Sequence, residues 1–268
     1  MRRDERFVVG DRAHLDVSVA AGQLEVIAGS ANEIRVAVDG SNADELEISQ
    51  IGDTVSIRES PRWLSRNRSI RLLVEVPPRT PLTVKSSSMD VVARGPVGEL
   101  RCRTASGDVH LDDVDRLEVS TASGDVRVRV VNGDAEFNSA SGDVTATTVT
   151  GRLTAQLASG DLVADIVGEG LSIGTSSGDV RIGRCDGSDI NIKTVSGDIV
   201  VGLPTGIRVD PDIATMSGKV SLPSAASKPS KQPSEQSTEQ PNGQPTERRS
   251  VRLRLRAVSG DVRVLRAG

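Results

Sequence analysis

In Leu117-Glu118-Val119-Ser120-Thr121-Ala122-Ser123-Gly124-Asp125-Val126-Arg127-Val128-Arg129-Val130, apolar or small side chains alternate with polar ones on both sides of a Ser-Gly-Asp triplet. Alternation of period two describes a strand with one face buried and one face wet. Glycine between two residues whose side chains can bond nearby backbone describes a tight corner. The stretch therefore reads strand, corner, strand. The triplet occurs seven times, beginning at Ser106, Ser123, Ser141, Ser159, Ser177, Ser196 and Ser259, with degenerate copies at Ser88-Met89-Asp90 and Ser217-Gly218-Lys219. Successive spacings from Ser88 are 18, 17, 18, 18, 18, 19, 21 and 42 residues. The flanks repeat too. Positions −6, −4 and −2 from each Ser hold sets such as Leu100/Cys102/Thr104, Ala135/Phe137/Ser139 and Leu171/Ile173/Thr175, and Val180/Ile182 or Val262/Val264 resume the inward phase after the corner.

A fixed short period with the same residue type in the same slot marks stacked coils, whereas a meander of hairpins has no reason to keep either. The expected fold is all-β: a single-stranded β-solenoid, or β-helix, of about nine to ten coils stacked about 4.8 Å apart, with an irregular β-rich N-terminal part. A lone coil cannot hold itself. Its roughly 18 residues, at about 1–2 kcal/mol of backbone entropy each, outweigh about five inward side chains at roughly 1.5–3 kcal/mol. Neighbouring coils must supply the remaining burial. Each Asp of the triplets is expected to accept hydrogen bonds within its own turn, and Met89 in place of Gly should give a different local turn or strain.

Residues 1–80 are expected to form a β-rich cap with divergent first coils, in which Ala21-Gly22-Gln23 fills a Ser-Gly-Asp slot behind Leu15, Val17 and Val19. Residues 81–222 form the repeat solenoid. Residues 223–249 are rich in Pro, Ser, Gln and Glu with almost no large apolar side chain, and read as a disordered insertion that accounts for the spacing of 42. Residues 250–268 return as a terminal coil, whose Arg254, Arg256 and Arg263 would protect the edge of the stack.

Composition narrows the function classes. Aromatics make up 1 % of the chain, with no Tyr, two Phe and one Trp, so the core should be thin and aliphatic. A net charge of −4 gives no global attraction for nucleic acid, and none is expected as a partner. No stretch approaches the ~20 apolar residues of a transmembrane helix. The start, Met1-Arg2-Arg3-Asp4-Glu5-Arg6, leads into no apolar run of signal-peptide length, so a cytoplasmic location is expected, and a monomer is favoured. Cys102 and Cys185 fall four coils apart, about 19 Å along the stack. That is too far for a disulfide, so two free thiols are expected.

Taken together, the repeats resemble a bacterial family of unknown function usually called "putative adhesin", built from Ser-Gly-Asp β-strand repeats. The likeness spans nearly the whole chain and includes Leu72-Leu73-Val74-Glu75-Val76 running into Pro77-Pro78, followed by Leu82-Thr83-Val84. It implies the solenoid fold. As a fold-level analogy it implies little about mechanism.

No nucleophile motif, phosphate loop or paired metal ligands occur, and no catalytic residue, cofactor or metal site is predicted. The aspartates Asp108, Asp125, Asp143, Asp161, Asp179, Asp198 and Asp261 would stack at strand spacing and could recruit cations such as Ca²⁺. The calcium-binding β-roll has a shorter period and more Gly and Asp per turn, which favours solvated turn aspartates. The segment from Arg58 to Arg71 gathers Arg62, Arg66 and Arg68 around Trp63. These four residues are candidate contacts for a partner, and the alternative is an end plug beneath a solvated basic loop. His14 and His110 stand isolated, as surface histidines do. Some β-helices cleave polysaccharides with surface carboxylates, but sugar clefts usually offer aromatic platforms, which these coils lack. The chain is therefore read as no enzyme. The expected function is a non-catalytic scaffold or interaction module for an unknown protein partner. The alternatives are an adhesin-like surface module and a polymerising, cytoskeleton-like solenoid.

Overall fold

The computed structural model describes residues 2–29, 32–40, 43–59, 70–223 and 250–267. Parallel pairing runs through two ladders, one built from the segments that precede each corner and one from those that follow it. Ser88–Thr104 and Val109–Thr121 run unbroken from one ladder into the other. In mid-molecule, sequence neighbours are spatial neighbours. Ala135–Ser141, Arg152–Ser159, Gly170–Ser177 and Asp189–Ser196 pair in that order. Across the corner, so do Val126–Val131, Val144–Val149, Leu162–Val167, Val180–Cys185 and Ile199–Pro204. Val109, Val126, Val144, Leu162, Val180 and Ile199 lie in consecutive register. The residue after each Asp thus sits above its counterpart, and the protein is an all-β solenoid, as the period requires. The interior is mostly aliphatic, and Phe137 is fully buried in it with Leu100, Leu117 and Leu153.

At both ends, chain order and stack order part company. The coil turning at Ala21-Gly22-Gln23 lies between Leu82–Lys85 and 88–94 on one side, and Thr54–Glu59 and Ile70–Val76 on the other. Coil 54–76 is one that no triplet marks. Beyond it the pairing turns antiparallel. Leu46–Ile51 covers Thr54–Glu59, Glu33–Asp39 covers Ile70–Val76, and the charge-rich Arg2–Val8 covers Glu33–Asp39. These strands are the β-rich cap.

At the other end, Ser250–Ser259 pairs with Asp189–Ser196 on one side and Arg208–Ser217 on the other, and Val262–Ala267 lies between Ile199–Pro204 and Val220–Ser221. The Arg-rich coil is last in the chain but next to last in the stack. The expectation that it guards the edge is therefore corrected. Arg208–Ser217 forms that edge, where Pro211 removes a backbone donor and Asp210 and Asp212 add charge. The spacing of 21 between Ser196 and Ser217 now has a cause. The chain must climb over an intervening coil, about 9.6 Å instead of about 4.8 Å. Charge explains why the slot is filled by an Arg-rich strand. Arg252 lies in register with Asp189 and Asp210, Arg254 with Asn191 and Asp212, and Arg256 with Lys193 and Ala214. Arg256 donates to both oxygens of Asp212 at 2.8 and 2.7 Å. Without that strand Asp210 would face Asp189, and like charges directly opposite destabilise a sheet. The 224–249 part of the expected insertion lies outside the described residues.

Candidate functional site

The corners form one continuous edge of the molecule. Asp108 N donates to Asp90 Oδ1 at 3.1 Å, Asp125 N to Asp108 at 3.0 Å, Asp143 N to Asp125 at 3.0 Å and Asp161 N to Asp143 at 2.9 Å. Asp179, Asp198 and Asp261 continue the series at 2.8 Å each, and Lys219 N closes it on Asp261 Oδ1 at 2.9 Å. These bonds run from coil to coil, not within a turn as expected, so each carboxylate clamps the next corner. The second oxygen takes an arginine two residues on at Arg127 (3.0 Å), Arg181 (2.6 Å) and Arg263 (3.2 Å). Charge-assisted donors of this kind offset the repulsion between stacked carboxylates. The Lys219 N–H, helped by Arg263, holds the Asp261 carboxyl below its ordinary range. Among the described residues no coil stacks beyond Lys219. No acceptor is needed there, which is why this copy of the triplet dispenses with Asp.

Glycine is required at these corners chiefly by close approach. A Cβ on Gly124 would sit 2.1 Å from the Gly107 carbonyl oxygen, and one on Gly142 would sit 2.3 Å from that of Gly124. From Gly160 onward a positive φ adds to the requirement, with 129° at Gly160 and 140° at Gly178. Met89 escapes both constraints. It lies in extended strand, its side chain is fully buried, and its N–H reaches Ser86 Oγ at 2.9 Å. Like Gly107, Gly124 and Gly142, it has no left-handed φ.

The slot two residues before each Ser changes role along the stack. Thr104 and Thr121 accept the N–H of Gly107 and Gly124 at 3.0 and 2.9 Å. Farther on, Gly160 and Gly178 donate instead to the next coil, to the carbonyls of Ser177 and Ser196 at 3.1 and 3.0 Å. The hydroxyls of Ser139, Thr175 and Thr194 are left buried without a partner.

The chemistry this surface can perform is limited. Among the described residues no group of three or more His, Cys, Asp or Glu could hold a metal ion. Cys102 and Cys185 are free and buried. Desolvation pushes their thiols up to about 12 and about 11, so neither offers a thiolate at neutral pH. His14 Nε2 lies 3.2 Å from Thr83 Oγ1, and His110 Nε2 lies 3.3 Å from Arg127. No described helix is long and apolar enough to cross a membrane. The sequence candidates Arg62, Trp63, Arg66 and Arg68 lie outside the described residues. The segment that holds them joins Thr54–Glu59 to Ile70–Val76, the two strands of the coil next to the cap.

Sequence reasoning missed one surface. The residue immediately before each corner Ser points outward. It is Ala at 105, 122, 140 and 158, Ser at 176, then Val195 (54 % exposed), Val258 (45 %) and Met216 (84 %) in stack order. Val195, Val258 and Met216 are neighbours in register on that outer face, while Val220, in register with the buried Val262, stands half exposed at an inward position of the end coil. The signal was the change from Ala to Val and Met within one column of the repeat.

The coils stack in register into a β-solenoid whose edges are charged or proline-bearing. Residues 13–265 match the Toastrack DUF4097 family, and the chain belongs to it. Similar solved structures include a "putative adhesin" from Bacteroides fragilis, 12 % identical with a TM-score of 0.49, the match covering 99 % of this chain and 97 % of that one. A second "putative adhesin", from Parabacteroides distasonis, is 10 % identical with a TM-score of 0.43 and the same coverage. A "putative lipid binding protein" from the same species is 12 % identical with a TM-score of 0.45, covering 100 % and 97 %. The family assignment rests on the Toastrack match alone. No curated protein matches the chain.

Proposed function

We infer that the protein is a non-catalytic interaction module that presents a rigid surface to a protein partner. The observation that carries this reading is the outward column of Val195, Val258 and Met216, adjacent in register, in a chain whose other large apolar side chains are mostly buried. Exposed apolar residues in one contiguous patch mark contact surfaces, because water gains when they are covered. Crosslinking in intact cells, followed by recovery of the tagged chain, tests the reading. Wild type should retain a defined partner, and Val258→Ser/Met216→Ser should lose it with unchanged circular dichroism. Equal retention by the variant would remove the patch from the account. Turnover in a polysaccharide-hydrolysis screen would remove the non-catalytic reading.

The same reading keeps the basic segment of Arg62, Trp63, Arg66 and Arg68 as a second candidate contact, tested by Trp63→Ala in the same crosslinking experiment. We further propose that the chain is a cytoplasmic monomer. Cell fractionation separates this from the adhesin-like alternative, which the names of the structural neighbours bring forward and which requires the protein at the cell surface. The polymerising alternative is disfavoured by Pro211, Asp210 and Asp212 on one edge and by the antiparallel, charge-rich Arg2–Val8 on the other.

A further inference from the structure

The outward face of the ladder that follows the corners has one concave stretch. His110, Arg127 and Thr145 stand there on consecutive coils, each in register with the next. Two residues farther along the same strands come Asp112, Arg129 and Thr147, and Arg94 stands on the coil before them. Together these side chains line an open groove of about 460 Å³. Three arginines and one carboxylate face it, in a chain whose net charge is −4.

A slip in the strand pairing leaves one of these arginines without a partner. Leu111 pairs with Ala93 but Asp113 pairs with Pro96, so Ser88–Thr104 carries one extra residue beside Gly95, whose φ is 79°. A bulge re-aims the side chains next to it. Here the Gly95 N–H donates to Asp112 Oδ2 at 3.4 Å. Asp112 is the residue beside Arg129, since Leu111 and Asp113 pair with Val128 and Val130. With that carboxylate engaged by Gly95, Arg129 makes no ion pair or side-chain hydrogen bond to any described residue. Other arginines on this face are tied down: Arg94 to Glu25 at 2.7 Å, Arg181 to Asp179 at 2.6 Å and Arg263 to Asp261 at 3.2 Å. Arg127 commits Nη2 to Asp125 at 3.0 Å and keeps Nη1 3.3 Å from His110 Nε2. The hydroxyls of Thr145 and Thr147 are likewise bonded to no described residue. A free surface arginine alone is ordinary. This one stands beside a second guanidinium and next to a rung of two free hydroxyls.

We propose that the groove binds a phosphate group, as the free ion or as the monoester of a small molecule. Arg127 and Arg129 present charged forks about 6.8 Å apart along one strand, and Thr145 and Thr147 present hydroxyls about 4.8 Å away on the next. A tetrahedral anion seated between the two rungs takes donors from both. A planar carboxylate is satisfied by one guanidinium fork and leaves the hydroxyl rung unused. The groove lies on the ladder after the corners, whereas Val195, Val258 and Met216 lie on the ladder before them, so the two sites stand or fall separately.

Titration of the full chain with inorganic phosphate at constant ionic strength, followed by NMR, tests the proposal. The signals of Arg127, Arg129, Thr145 and Thr147 should shift and saturate, and chloride at the same ionic strength should leave them in place. Glucose 6-phosphate separates the two sources: tighter binding than phosphate assigns the monoester, and equal binding assigns the free ion. Arg129→Gln should weaken phosphate binding at least about tenfold, the equivalent of one charge-assisted hydrogen bond. Thr147→Val should weaken it by a smaller factor. Arg181→Gln, in the same column three coils away, should bind as wild type does. All three positions are exposed, so thermal midpoints should not move. Should Arg129→Gln fail to fold, the contrast between Thr147→Val and Arg181→Gln decides. Shifts that never saturate, or that chloride reproduces, overturn the proposal. Equal weakening by Arg181→Gln also overturns it, because the general field of the chain then holds the anion. Acetate binding as tight as phosphate would overturn the tetrahedral site.

Discussion

Thr121 and Thr194 occupy the same slot of the repeat and do different work. Thr121 Oγ1 accepts the N–H of Gly124, whereas the Thr194 hydroxyl is buried with no partner. Removing an acceptor from a buried donor costs about 1–3 kcal/mol, while replacing an unsatisfied hydroxyl by a methyl removes a penalty. Thr121→Val should therefore lower the urea midpoint clearly, and Thr194→Val should leave it unchanged or raise it. Equal shifts in the two variants would show that the hydroxyls are not distinguished as the geometry requires. The difference arises where the glycine N–H changes from the preceding Thr to the next coil's carbonyl. A column of Thr, Ser and Leu gave no sign of it, because a hydroxyl serves either conformation.

Between elements, what holds the end coil is partly a titrating group. The Asp261 carboxylate takes the Lys219 N–H, and its affinity for a proton is lowered by that bond first and by Arg263 after it. A carboxyl depressed in the folded state contributes stability above its unfolded value, about 3.9 for Asp. That contribution disappears as pH falls through the lower folded value. Amide exchange at Lys219 should accordingly lose protection on acidification, and Asp261→Asn, which keeps an acceptor without the charge, should flatten the dependence. A variant as acid-sensitive as wild type would place the effect in another carboxylate. The alternation of Val251, Leu253, Leu255 and Ala257 with arginines that makes Ser250–Ser259 a strand was plain in the sequence. Its place in the stack was not, since every coil carries the same inward pattern and fits any neighbour by burial alone.

At the scale of the molecule, the aspartate ladder decides between a structural and a metal-binding edge. One oxygen of each ladder carboxylate from Asp90 to Asp261 is committed to a backbone N–H of the adjacent coil. Calcium would have to draw a shell of six to eight oxygens from the second oxygens, three of which already take an arginine. The hydrodynamic radius and thermal midpoint should therefore be the same with and without millimolar Ca²⁺. A raised midpoint or a changed radius would restore the ladder as a cation site.

The period of 18, the Ser-Gly-Asp corners and the alternation on either side were enough to read an all-β solenoid and its inward slots, from Leu100 to Val264. Those features are local, and each follows from the geometry of one coil. The coil-to-coil direction of the aspartate bonds, the edge role of Pro211 and the insertion of residues 250–267 between 189–204 and 208–221 could not be read in that way. They depend on which coil lies against which. Identical slots leave that choice to in-register charge, with Arg252 in register with Asp189 and Asp210, and such a pairing exists only once the chain is stacked.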